Sequence, residues 1–409
     1  MSKVIVIGGG AAGMMASYAA ASIGHDVLLL EKNEKLGKKI YITGKGRCNF
    51  TNACDEESFF KNVVSNPKFL YSAIYTFNSE RMMDFVEMNG IPVKVERGNR
   101  AFPVSDHASD ITKALSSAMK KEGVEVRLHS AVETIECKEG KIVGVKLSDG
   151  EFLSCDHVIL ATGGCSYPTT GSTGDGYRFA KSLNLKVNDV YPALVPFETK
   201  EKDILELQGL ALKNISIKVF DEKHTYYEDF GEMLFTHFGI SGPLILSASS
   251  YVTKILKEKN LSLLIDLKPA VGYDTLEDRI IRIIQDNPKK SIGFLLQQLL
   301  PKKMTELVEK RLDFNKDMSL SEFTKVQREA LIHMLKGFPL TITSTRGFKE
   351  AIVTQGGIST KEINPSTLEV KNIKGLSVCG EVLDLDALTG GFNLQIAFST
   401  GYLAGISIE

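Results

Sequence analysis

The chain has 409 residues, more than one ordinary core holds, so two or three domains are expected. Its 43% hydrophobic and 24% charged residues suit a globular enzyme. With 49 basic against 50 acidic residues the net charge is −1, which argues against a nucleic-acid or membrane-surface partner.

No apolar run reaches the ~18 residues of a membrane span, and the N-terminal run Val4–Ile7 breaks into glycines where a secretory signal would continue. A cytoplasmic location is expected. The six cysteines, Cys48, Cys54, Cys137, Cys155, Cys165 and Cys379, are scattered without a C-x-x-C pair, so neither a disulfide framework nor a metal site is expected.

In chain order, Val4 to Ile7 reads as a buried strand, Ala11 to Ile23 as an Ala-rich helix and Val27 to Leu30 as a second strand ending at Glu31. A Gly/Lys-rich loop, Lys35 to Asn52, follows. Arg81 to Met88 predicts a helix stopping at Asn89-Gly90. The apolar positions Ile111, Ala114, Leu115, Ala118 and Met119 predict an amphipathic helix, with Ser109 as its N-cap. Strands are expected from Val124 to Leu128 and around hairpin turns at Glu139-Gly140 and Asp149-Gly150, ending with His157 to Ala161. From Pro192 to about 340 the chain changes character. Its first half reads as short strands, among them Ile215 to Phe220 and Leu261 to Leu267, and residues 275–335 as charged amphipathic helices. After Thr341 a strand, Gly375 to Gly380, and a final helix behind Gly390-Gly391 are expected.

The first chemical motif is the glycine loop. Gly8, Gly10 and Gly13 match G-x-G-x-x-G between a strand and a helix. Gly8 suits the tight turn, Gly10 a close approach to a pyrophosphate, and Gly13 close helix–strand packing. The helix N-terminus adds free N–H groups and a positive dipole end. Glu31 is placed to accept from ribose hydroxyls. The motif alone does not separate NAD from FAD. Three later segments favour the longer cofactor: Leu36 to Asn52 with Arg47 and Cys48, Ala161-Thr162-Gly163-Gly164 with the following Gly171–Gly176, and Gly380 to Gln395. A helix starting near Phe392 would aim its positive end at a reduced flavin. Asp175 reads as the cap of a helix near Tyr177.

These stretches (GGGAAG at 8–13, GKGRCNFTN at 44–52, ATGGCSYPTTGSTGDGY at 161–177, GEMLFTHFGISGP at 231–243, GEVLDLDALTGGFNLQ at 380–395) resemble the BaiN-like, NAD(P)/FAD-dependent oxidoreductase family of bacterial flavoproteins. The resemblance implies an α/β fold: a Rossmann-like FAD-binding domain, residues 1–191 and 341–409, interrupted by a β-barrel and helical domain, residues 192–340. It implies FAD contacts at Gly10, Ala12, Gly13, Glu31, Lys32, Gly44, Arg47, Cys48, Val132, Thr162, Gly163, Gly380, Glu381, Asn393 and Leu394. Val132 is placed by family position alone. Gly8, Ala11, Asn49, Gly391 and Phe392, inside the matching motifs, complete the expected cofactor set. Members are assigned different reactions, reduction of steroid-like double bonds and oxidation of an aminoketone among them, so the resemblance speaks for the cofactor more than the substrate.

No side chain carries a clear catalytic signature. Cys48, His237, Tyr167 and Arg100 are the candidates, each more economically read as structural, and the catalytic residues stay unassigned. The expected function is an FAD-dependent oxidoreductase of a small molecule; a second dinucleotide motif is not evident, so the reading leaves two donors open, NAD(P)H bound transiently across the flavin or no nicotinamide at all. The alternatives are a tRNA-modification-type flavoprotein, for which Lys289-Lys290, Lys302-Lys303 and Lys310-Arg311 would supply phosphate contacts, and a non-catalytic flavin-binding protein.

Overall fold

The run Val4–Ile7 has almost no exposed surface because it forms the middle of a fully parallel sheet. The computed structural model describes residues 1–409. The sheet order is Leu376–Val378, His157–Leu160, Lys3–Ile7, Asp26–Leu30, Glu125–Arg127. Covered on both faces, such strands read as continuous apolar runs. Because every strand points the same way, the loops after Ile7, Leu30, Leu160 and Val378 emerge at one edge, where α/β sheets bind ligands.

The chain forms two units, Met1–Ala193 with Phe348–Glu409, and Leu194–Gly347. The expected second boundary, between 340 and 341, falls inside the strand Phe338–Thr345. That strand pairs with Leu261–Asp266 and Phe197–Thr199, so it belongs with the insert. The insert holds a closed barrel of six strands: Phe197–Thr199, Gly239–Ser241, Thr225–Phe235, Ala211–Phe220, Leu261–Asp266 and Phe338–Thr345. Alternate residues Ile215, Ile217 and Val219 and their counterparts Leu261, Leu263 and Ile265 are buried, so the barrel is filled by its own side chains. Helices Tyr273–Asp286, Ile292–Leu299, Lys302–Leu312 and Lys325–Lys336 follow the expected helical part.

Several local expectations hold. Glu139 and Gly140 both have positive φ, as a two-residue hairpin turn between twisted strands requires. The helix Ser79–Met88 stops at Asn89, and Ile111, Ala114, Leu115, Ala118 and Met119 are all buried. Others need correction. The helix Ala108–Lys121 starts one residue before Ser109, after His107, without a side-chain cap. Asp175 does not cap its helix: Gly174 holds the cap position, and the Asp175 carboxylate accepts from Lys32 Nζ at 2.6 Å. Pro243–Leu256, in the half expected to be strands, is a helix; proline at its first turn is compatible with helical φ.

The first helix, Ala11–Ser22, packs on the last, Phe392–Ile406, through small residues. A Cβ at Gly401 would lie 2.3 Å from the Ala12 carbonyl oxygen, and one at Gly405 would lie 2.6 Å from that of Ala16. The two backbones therefore touch, and the helices run in the same direction.

His157, on the sheet strand beside Ser377 (Nε2 to Oγ 2.9 Å), is buried, and burial pushes its pKa down to about 4. The unfolded chain takes up this proton near pH 6.5 and the folded chain only near pH 4. Stability supplied by neutral His157 is therefore complete above about pH 6.5 and lost as pH falls toward 4, by roughly 3 kcal/mol at most. Denaturant titrations between pH 7 and 4 should show a shallower fall for His157→Gln than for the wild type.

Candidate cofactor site

The glycine loop separates into packing and opening roles. A Cβ at Gly8 (φ +106°) would meet the Ala161 oxygen at 2.6 Å, and one at Gly13 would meet the Gly8 oxygen at 1.8 Å. Beside a Cβ at Gly10 no atom lies within 4 Å. Gly8 and Gly13 thus let strand, loop and helix close on one another, while Gly10 leaves an open cradle. The first helix has no side-chain cap and no acidic residue in its first turn, so the N–H groups following Ala11 and Ala12 face that cradle without an internal competitor. Glu31 is buried. Its Oε2 accepts from Gly9 N at 2.7 Å, and its Oε1 from Asn33 N at 2.8 Å and Asn33 Nδ2 at 2.6 Å. Oε1 is filled by its two Asn33 donors, but Oε2 keeps a second lone-pair direction, so the carboxylate can brace the loop and still accept from a hydroxyl. Lys32 is held by Thr173 and Asp175. Ser130 N donates to the Glu31 carbonyl at 2.9 Å, which brings the chain leading into buried Val132 alongside this corner.

The loop carrying Gly44 and Arg47 is pinned from below. Arg47 donates to both Glu96 and Asp106, Lys94 joins Asp106 at 2.7 Å, and the Arg47 guanidinium lies 4.3 Å from the centre of the Phe102 ring. The charge expected for a phosphate is thus already met by two carboxylates. Cys48 is completely buried, and burial pushes its thiol up to about 12, so it stays protonated at neutral pH and is no redox or nucleophilic thiolate. Beside it, Asn49 keeps a buried Oδ1 without a hydrogen-bond partner.

From the other side of the sheet come Thr162, whose buried Oγ1 also lacks a partner, and Gly163. Gly380 packs against the first helix: a Cβ there would stand 2.7 Å from that of Ala12. Glu381 is the hub of a cluster the sequence did not flag. Its Oε2 accepts from Lys39 Nζ at 2.7 Å, and its Oε1 accepts from Ser166 Oγ at 2.9 Å and Thr354 N at 2.8 Å. Lys39, Ser166 and Thr354 lie far apart in the chain; Lys39 and Ser166 fall in two separate stretches singled out for their glycines, and Thr354 falls in neither.

The last helix starts at Gly391 (φ +100°), where a Cβ would lie 2.4 Å from the Thr51 oxygen, and it too has neither side-chain cap nor first-turn acid. Asn52 Nδ2 donates to the Gly390 oxygen, and Thr51 Oγ1 to Gln395 Oε1, so the Arg47 loop is tied to this helix start. The Asn393 side chain turns back onto the backbone of Ala387 and Leu388, and Phe392 packs edge-on against Phe59. Leu394 packs half-buried against the core. Gly401 lies over Ala12 and the helices run parallel, so the last helix begins roughly 12 Å before the start of the first, projecting beyond it on the N-terminal side. Two uncapped helix N-termini thus stand at separate points of one crevice.

The remaining candidates disperse. Tyr167 has positive φ, burial raises its pKa, and its N–H donates to the Phe348 carbonyl. Arg100 is exposed and bonds the Arg97 carbonyl. His237 is exposed in the barrel unit against Phe238. No group of His, Cys, Asp and Glu is arranged to hold a metal ion, and no helix is long and apolar enough to cross a membrane.

Residues 2–407 match the model of the HI0933-like protein Rossmann domain. The chain belongs to that family. It is 32% identical to the 3-dehydro-bile acid delta(4,6)-reductase of Clostridium scindens, over 99% of this chain and 98% of the relative. It is 33% identical to the ribosomal RNA dihydrouridine synthase of Escherichia coli, over 97% and 96%. Among solved structures, the 3-ketosteroid-delta4-(5alpha)-dehydrogenase of Rhodococcus jostii RHA1 covers 99% of this chain and 96% of its own, with a TM-score of 0.53 and 18% identity, a likeness of fold.

The two glycines predict opposite phenotypes. Gly10→Ala adds a methyl to open space and should change stability by less than about 1 kcal/mol while occluding the dinucleotide cradle. Gly13→Ala drives a methyl into the Gly8 carbonyl and should cost about 1–3 kcal/mol or more. Thermal melting, read beside cofactor titration, separates the two.

Proposed function

We propose that this protein is an FAD-dependent reductase that adds hydride to a carbon–carbon double bond conjugated to a carbonyl, with NAD(P)H as the transient donor. The observation that carries the reading is the chemistry shared by relatives at equal identity over their whole length. A delta(4,6) double bond beside a 3-dehydro group, and the uracil double bond lost on forming dihydrouridine, are both conjugated to a carbonyl.

The crevice fits FAD. Gly10 offers the room a diphosphate needs, with the first helix aimed at it, and Glu31 retains acceptor capacity for the adenosine ribose. The offset start of the last helix suits the far, ring-bearing end of a long cofactor, where negative charge accumulates on reduction. The unpaired oxygens of Asn49 and Thr162 are acceptors awaiting a donor. When bound, FAD supplies the hydride. The chain holds it, orients it and stabilises its charge.

A uridine in ribosomal RNA is the second acceptor this chemistry admits, because a relative acts on it by name. Two of the six basic residues proposed for RNA already have acidic partners. Arg311 is held by both oxygens of Asp203, and Lys310 faces Glu206 at 3.9 Å. A small-molecule enone is preferred.

Protein purified and supplied with FAD should be yellow, and its visible band should bleach under anaerobic NADH or NADPH. Colour should return on adding 4-androstene-3,17-dione or a simple cyclic enone. Failure to take up FAD would remove the proposal. Recovery of colour only with a ribosomal RNA fragment would move the function to RNA, and recovery with neither would leave a flavin carrier.

A further inference from the structure

Lys39 and Glu381 meet across the sheet. Lys39 follows the strand Asp26–Leu30, and Glu381 follows Leu376–Val378. In the sheet these strands are separated by His157–Leu160 and Lys3–Ile7, a distance of roughly 14 Å at ordinary strand spacing. Their side chains nevertheless form a two-pronged ion pair, with Lys39 Nζ at 2.7 Å and 3.0 Å from the two Glu381 oxygens. The pair therefore bridges the crevice over the strand that feeds the glycine loop. It is anchored on both sides. Ser166, from the loop after His157–Leu160, contacts both Lys39 Nζ and Glu381 Oε1. Thr354 N donates to the same carboxylate, while Thr354 Oγ1 accepts from the backbone N–H groups of Cys165 and Ser166. One residue before Glu381, Gly380 rests on Ala12 in the first turn of the helix that faces the cradle.

We propose that Lys39 is a cofactor-positioning residue: it neutralises and orients Glu381, so that this carboxylate stands beside the FAD diphosphate crevice without repelling it. The inference rests on the FAD reading above. An unpaired carboxylate next to a diphosphate is repulsive, and a carboxylate held by a lysine is a neutral, fixed acceptor. Of the other cations of these loops, Lys32 pairs with Asp175, Lys38 with Glu34 and Arg47 with Glu96 and Asp106, while Lys35 lies over the Tyr41 ring and Lys45 is exposed. The pair is about one-fifth exposed on each side, so it is largely buried, and removing Lys39 alone leaves Glu381 as a buried charge held only by Ser166 and the Thr354 N–H.

The test is FAD affinity, read by flavin fluorescence, beside the melting temperature of FAD-free protein. Lys39→Met should weaken FAD binding by about tenfold or more at low salt and also lower the FAD-free melting temperature, because it leaves a buried carboxylate unpaired. Lys39→Arg should restore most of the affinity. The decisive variant is Lys39→Met with Glu381→Gln, which removes both charges: it should bind FAD more tightly than Lys39→Met alone. A double variant whose FAD-free melting recovers but whose FAD affinity is no better than that of Lys39→Met would overturn the proposal in favour of a structural brace. Unchanged affinity in Lys39→Met would also overturn it while leaving the cofactor reading intact. Wild-type protein that takes up no FAD would overturn both.

Discussion

The first and last helices touch backbone to backbone because Gly401 and Gly405 present no side chain to Ala12 and Ala16. Contact at that distance fixes their relative register along the axis to within a residue. It also fixes where the last helix begins, and with it the position of Gly391, the Thr51–Asn52 anchor and the Arg47 loop tied to that anchor. A larger residue at either glycine would push the last helix outward and carry this whole corner of the site with it. The parallel sheet supplies the edge on which the loops gather, and the helix contact decides how far apart the two uncapped N-termini stand.

Charge is managed locally throughout the site. Glu31 accepts one bond on Oε2 and two on Oε1 to hold the glycine loop and its own turn, Arg47 is shared by two carboxylates, and Lys39 is taken by Glu381. What the two uncapped helix starts would offer an anionic ligand is their backbone N–H groups. Such groups are fixed in direction and cost no side-chain ordering when the ligand arrives. Burial holds the thiol of Cys48 protonated in the same loop, so it serves as packing beneath the crevice.

Local signals in the sequence marked the strand–glycine–helix unit, the acid at the end of the second strand, the hairpins and the amphipathic helices. Each is decided within a few residues, by side-chain period or by a turn that only certain φ values permit. Where the competition was between neighbours, the reading slipped. Ser109 and Asp175 are good cap residues by type. Helix starts at Ala108 and Asp175 leave both inside the first turn, and a lysine claims the Asp175 carboxylate. Pro243–Leu256 is apolar enough to pass for strand and is a helix because its buried stripe packs on the barrel strand Thr225–Phe235.

The sequence by itself determined the Rossmann-type core, the inserted unit and most of the loops that build the crevice, because periodicity and glycine spacing act over short range. Only the tertiary structure decided the partners. It closed six strands into a barrel that takes in Thr341 to Thr345, paired Arg47 with Glu96 and Asp106, and joined Lys39 to Glu381 across 342 residues of chain. An ion pair has no sequence period. It exists where folded loops bring opposite charges within a few ångströms, and that distance is set by sheet order and helix packing.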